Sequence, residues 1–207
     1  MTDVREVATE VGVARVHVDE EPHLRVRVVL GHGAGGGVDA PDLIALADRL
    51  PSVGIGLWRV EQPWRVAGRR VAPAPATLDR AWLEIVATVP REGPLVVGGR
   101  SAGARVACRT AADVAADAVV ALAFPLHPPG RPERSRAGEL DIDVPLLVVQ
   151  GTSDAFGTPE EFPPAPHRTV VPVTGDHALR RDTDAVVSAV AAFVAALVSG
   201  GVGHGRG

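Results

Sequence analysis

A mainly parallel α/β sheet covered by helices on both faces is the fold this sequence predicts, and three observations predict it. Short apolar segments alternate with helix-length amphipathic ones along nearly all of the 207 residues. Several apolar segments, such as PLVVGG (94–99) and VPLLVVQG (144–151), run unbroken, as strands buried on both faces do. Glycine or helix-capping residues then follow these runs, where a strand has to turn into a helix.

In chain order, EVATEVGVARVHVDEE reads as an antiparallel pair of strands turning near Gly12. LRVRVVLGHGAGGG is a strand that runs into a glycine loop, and APDLIALADRLPSVG is an amphipathic helix with Pro41 in its first turn. IGLWRVEQPW gives a strand, RVAGRRVAPAPA a loop, and TLDRAWLEIVATV a helix opened by the cap-type Thr77. PLVVGG and SAGARVACRTAADV form the next strand and helix. AVVALAFPL and VPLLVVQG are two more strands, joined by the polar HPPGRPERSRAGELDID. RTVVPVTG is the last strand, and DHALRRD leads into a final helix. With no internal repeat and no boundary signal, residues 1–198 are expected to form one domain, and the glycine-rich stretch 199–207 a flexible tail.

Composition narrows the function classes. An apolar fraction of 46% with a net charge of −4 of mixed sign suits a soluble globular domain, and argues against a nucleic-acid or membrane-surface partner. All 21 basic residues are arginine, and lysine, asparagine and tyrosine are absent, a bias that makes any single arginine a weaker sign of ligand recognition. The single cysteine, Cys108, forms no intramolecular disulfide and is expected to pack as a small apolar side chain. MTDVREVATEVGV lacks a signal-like apolar core, and the apolar run 185–198 is shorter than the roughly 18 to 20 residues of a spanning helix. A cytoplasmic protein with no membrane partner is therefore expected, its oligomeric state left open.

The chemistry centres on GGRSAGARVA. Gly99, Arg100, Ser101, Ala102 and Gly103 satisfy G-x-S-x-G between a buried strand and a helix, the setting of a nucleophile elbow. Such a turn strains the nucleophile's backbone and leaves room only for small neighbours, which Gly99, Ala102 and Gly103 are. The plain alternative is a serine that caps the helix between packing glycines. A serine nucleophile also needs an acid and a base, and in parallel-sheet triads these follow in the order Ser, Asp, His at strand ends. Asp154 lies just past VPLLVVQG and His177 just past RTVVPVTG, so all three are expected at one sheet edge. His17, His23 and His204 are poorly placed, and His167 belongs to the opposite edge. Asp176, adjacent to His177, is a poor orienter of that ring.

The oxyanion hole is expected from the backbone N–H groups of Ala102 and of Ala34, with Gly35 next, in the GHGAGGG loop. A phosphate-cradling loop is the alternative for that segment, but no G-x-x-x-x-G-K-[ST] is present. Trp64, Arg69, Arg70 and His127 lie on loops after strands and are expected to border the pocket, Arg69 and Arg70 as candidate carboxylate binders and His127 as a structural hydrogen-bonder.

GHGAGGG, EQPWRVAGRR, GGRSAGARVA, FPLHPPGRPE, QGTSDAFG and GDHAL together make the chain, from residue 30 to the last helix, resemble the α/β-hydrolase superfamily. The resemblance is to its small dienelactone-hydrolase-like branch, which includes the testis-expressed and NSL-complex hydrolase-like proteins and bacterial relatives. It implies an α/β-hydrolase fold with Ser101 as nucleophile, Asp154 as acid, His177 as base and Arg100 as a structural residue, while the roughly 17 residues between the strands read to end at Leu126 and to start near Val144 are too few for a separate lid domain. The expected activity is serine hydrolysis of an ester-like bond in a small acyl substrate, with no metal or organic cofactor. A peptidase, an acyltransferase or a non-catalytic interaction module on the same fold are the alternatives.

Overall fold

The computed structural model describes residues 2–201. Eight strands form one sheet in the order β1-β2-β4-β3-β5-β6-β7-β8. The strands are β1 (Asp3–Thr9), β2 (Gly12–Asp19), β3 (Val26–Gly31), β4 (Ile55–Glu61), β5 (Leu95–Arg100), β6 (Ala118–Leu122), β7 (Leu146–Gly151) and β8 (Arg168–Val173). β1 pairs antiparallel with β2 and β2 with β4, while every pairing from β4 through β3 to β8 is parallel. Parallel neighbours require crossovers, and five α-helices are interspersed between or after the strands: α1 (Pro41–Arg49), α2 (Pro63–Val66), α3 (Pro75–Val86), α4 (Ala102–Thr110) and α5 (Thr183–Gly201).

Alternation along the central strands divides the core in two. Val97, Val119, Ala121 and Val148 pack on one face with Trp82 and Ile85 of α3 and Val106 of α4. Val96, Val120, Leu147 and Val149 pack on the other with Leu43 and Leu46 of α1 and Val186, Val190 and Val194 of α5. Since both faces are covered, neighbouring residues are all buried, which is why these strands read as unbroken apolar runs.

Several element boundaries differ from the sequence reading: β6 stops at Leu122, short of the AFPL read into it, and α4 stops at Thr110, short of Val114. The strand read through QPW ends at Glu61, because Pro63 has no N–H for a ladder and opens the short α2. α3 begins at Pro75, not Thr77; proline at the first helical position, behind Ala74, fixes the entry. α5 continues to Gly201, three residues into the stretch read as tail. At that length the helix is apolar enough to cross a membrane by composition, but it lies on the sheet with Val186, Val190 and Val194 fully buried. The rest of the expected tail, with His204, lies outside the described residues. The β6–β7 connection, residues 123–145, contains only two short 3₁₀ turns, so it builds no lid domain.

Candidate active site

β5 enters α4 through Ser101, whose backbone has φ 51° and ψ −112°, a left-handed conformation rarely held by a residue other than glycine. The packing around it explains the composition of the turn. A Cβ on Gly99 would lie 2.5 Å from the carbonyl oxygen of Gly31 and 2.7 Å from the Gly103 carbonyl carbon, and one on Gly103 would run into the same Gly31 oxygen. Glycine at 31, 99 and 103 thus lets β3, β5 and α4 touch backbone to backbone. The Ser101 side chain makes no helix-capping hydrogen bond.

Its hydroxyl faces a histidine instead. Ser101 Oγ lies 2.9 Å from His177 Nε2, and His177 Nδ1 lies 2.8 Å from Asp154 Oδ2. A carboxylate only accepts, so Nδ1–H donates to Asp154 and Nε2 is left to accept the serine O–H. Asp154 is 2% exposed and is held by two further donors, Gln150 Nε2 at 2.8 Å and the Phe156 amide at 2.8 Å. The Phe156 ring lies against the imidazole, with centroids 4.3 Å apart. The loop carrying His177 is tied to the end of β7 by Ser153, whose amide and hydroxyl both donate to the Gly175 carbonyl at 2.9 Å.

Arg100 ties the remaining side. Its Nε donates to Asp42 at the start of α1 at 2.9 Å, and its Nη2 donates to the His177 carbonyl at 2.7 Å. Asp42 is wholly buried, so this pair joins α1, the elbow and the histidine loop at one point.

Ala34 and Ala102 border the same cleft as Ser101, and neither backbone N–H has an acceptor among the described residues. Gly33 packs against the serine, a Cβ there falling 3.3 Å from Ser101 Cβ. The loop is fixed by His32, whose Nδ1–H donates to the Gly33 carbonyl at 2.8 Å while Nε2 accepts the Gln62 amide at 3.2 Å. Burial pushes the His32 imidazole below its ordinary pKa, in keeping with this neutral form. Cys108 is buried in the core, where burial pushes its thiol up to about 12, so it offers no thiolate.

The four residues expected to border the pocket do not. Trp64 is buried in α2 beside His32, and Arg69 faces a separate groove next to β2. Arg70 is exposed outside the cleft, and His127 is turned to Glu161 and the Pro128 carbonyl. Proline ends β4 early, and the segment after it folds back as α2 instead of projecting over the sheet edge. The cleft, about 650 Å³, is bordered by Arg100, Arg105 and Arg136. Arg105 was readable, since four residues along a helix from Ser101 is the same face one turn on. Arg136, in an irregular connection, had no local signal.

A family model described as an α/β-hydrolase domain matches residues 24–196. The chain belongs to this family. Solved structures agree with the hydrolase fold: XC6422 of Xanthomonas campestris, described as an α/β serine hydrolase without lid, is 21% identical with a TM-score of 0.72 over 93% of this chain and 94% of its own. Est1E of Butyrivibrio proteoclasticus is 14% identical with a TM-score of 0.74, over 95% and 99%. An α/β serine hydrolase homologue of Coxiella burnetii is 17% identical with a TM-score of 0.72, over 97% and 98%.

Proposed function

We propose that this α/β hydrolase is a serine hydrolase that cleaves an ester or thioester through an acyl-enzyme, with Ser101 as nucleophile, His177 as base and Asp154 as the orienting acid. The observation that carries this reading is the continuous hydrogen-bonded line from buried Asp154 through His177 to a serine on a strained turn. As Ser101 Oγ bonds to the acyl carbon, its proton passes to His177 Nε2, and Asp154 stabilises the imidazolium. The carbonyl oxygen gains the negative charge and is received by the amides of Ala34 and Ala102, each such donor contributing about 2.7 to 4 kcal/mol. The alcohol or thiol leaves with the proton from His177. Water, deprotonated by the same nitrogen, then attacks the acyl-enzyme and releases the acid and the free serine.

Without a lid domain over the site, small or exposed acyl groups suit the cleft better than long buried chains. A fluorophosphonate probe tests the reading: it labels the wild type, and the label disappears in Ser101→Ala. A well-folded wild type that takes no label and turns over no p-nitrophenyl ester would instead make the chain an interaction module on a hydrolase fold. Activity that peaked at long acyl chains would overturn the open-site part of the proposal.

A further inference from the structure

The charges around the cleft are unevenly satisfied. Arg100 is spent on Asp42 and the His177 carbonyl. Arg105 grips Glu139 with two nitrogens, the Nε contact at 2.8 Å, and Arg109 behind it pairs with Asp79 at 2.6 Å and also reaches Glu139 at 3.3 Å. Glu139 and Asp79 are thereby occupied. Arg136 is different: among the described residues no carboxylate lies within ion-pair distance of it. Its anchors are backbone ones, Nη1 donating to the Pro125 carbonyl at 2.7 Å and its amide to the Leu126 carbonyl at 2.7 Å. The side chain is half-buried and borders the cleft, and none of its unbonded nitrogens is sealed away from solvent. Burial, and then the like charge of Arg105, pull its pKa below the ordinary arginine value. It stays protonated at neutral pH, and the attraction opposing these effects is that of Glu139, which lies beyond ion-pair distance and is held by Arg105 and Arg109.

Asp176, the carboxylate that borders the cleft, is on the His177 loop and is likewise in no ion pair among the described residues. The cleft therefore presents a free cation from the β6–β7 connection and a free anion beside the base. We infer that Arg136 is a specificity residue that binds a carboxylate on the substrate, so the preferred substrates are half-esters or half-thioesters of short dicarboxylic acids. This rests on the hydrolase reading above. A planar guanidinium with only Nη1 engaged among the described residues keeps donors for a carboxylate in two-point contact, and a single such group matches a monoanion. Half-burial makes the contact stronger than one at a fully wetted surface, because water competes less for both partners.

The test uses p-nitrophenyl half-esters of succinate, glutarate and adipate, each beside the same compound with its free carboxylate capped as a methyl ester. Capping keeps the acyl chain and removes the charge while adding one methyl group, so Arg136→Gln serves as the control that separates charge from size. The wild type is expected to favour at least one free half-ester over its capped twin by about tenfold or more in kcat/KM, as a hydrogen bond to a charged group is worth that factor. The ratio falls to about one in Arg136→Gln, which retains a donor for the Pro125 carbonyl, and is partly kept in Arg136→Lys. Added salt lowers it in the wild type. A wild-type ratio of one or less for all three acids, or a preference that survives in Arg136→Gln, overturns the inference. Binding is read separately from turnover by calorimetry with monomethyl glutarate on Ser101→Ala. Heat of binding that is lost on adding Arg136→Gln supports the carboxylate site even if every ester proves inert, and absence of binding counts against it.

Discussion

Two parts of the cleft wall hold their shape by opposite means. At the β5–α4 elbow the backbones of two strands and a helix meet through glycines, and Arg100 there is held through two of its guanidinium nitrogens. In the β6–β7 connection the backbone is irregular and guanidinium–carboxylate pairs hold it to α4, through Glu139 with Arg105 and Arg109. A backbone-to-backbone joint tolerates almost no change of residue, whereas an ion-paired joint near solvent tolerates many. The first suits the nucleophile proposed at Ser101, whose position would decide the rate, and the second suits the selective wall inferred around Arg136.

Substitutions of decreasing effect sharpen that contrast. Arg100→Met leaves the fully buried Asp42 carboxylate without its partner and is expected to cost about 3 to 5 kcal/mol in chemical denaturation. The fluorophosphonate labelling proposed for Ser101 is expected to fall further in the same variant than its folded fraction, because the His177 carbonyl loses its anchor. Gly99→Ala forces a methyl group against the Gly31 oxygen and is expected to cost about 1 to 3 kcal/mol. Glu139→Gln, in the ion-paired wall, is expected to cost about 1 kcal/mol, because the amide oxygen can still accept from an arginine and the pair keeps a fifth to a quarter of its side-chain surface exposed. Gly35→Ala, in the glycine loop where a Cβ meets nothing within 4 Å, stays within about 0.5 kcal/mol of wild type. If Glu139→Gln proved as damaging as Gly99→Ala, the two walls would not differ in kind.

The weakest effect is one of pH. His32 has a folded pKa below its unfolded value of 6.5, so the unfolded chain binds the extra proton first. The stability it contributes is complete above pH 6.5 and is lost as pH falls from there towards the lower folded value. The melting temperature is expected to fall over that window, and less so in His32→Gln. His17, also lowered chiefly by burial, adds a change of the same sign that this variant retains.

The contrast also governs what could be read from the residues alone. Steric demands write themselves into local sequence: Gly99 and Gly103 flank Ser101 because a Cβ at either would run into the Gly31 carbonyl oxygen. Asp154 and His177 were legible for a related reason, as each follows a buried strand and parallel strands end at one edge. The wall residues follow no such rule. Arg69 and Arg70 looked like Arg136 in sequence, and only the path of the chain after Pro63 turns the first two away and brings the third in. Thr77 failed as a helix start because proline two residues earlier already supplied the entry geometry.

The distances along the chain have a kinetic meaning. Ser101 and His177 are 76 residues apart, and they meet only when β6, β7 and β8 have docked in succession on β5. Parallel crossovers of this kind close late, since the entropy of a long loop is spent before its contacts form. A refolding chain is therefore expected to regain its helical signal well before it accepts a fluorophosphonate. The probe proposed for Ser101 would thus double as a clock for the docking of β8, whose following loop carries His177.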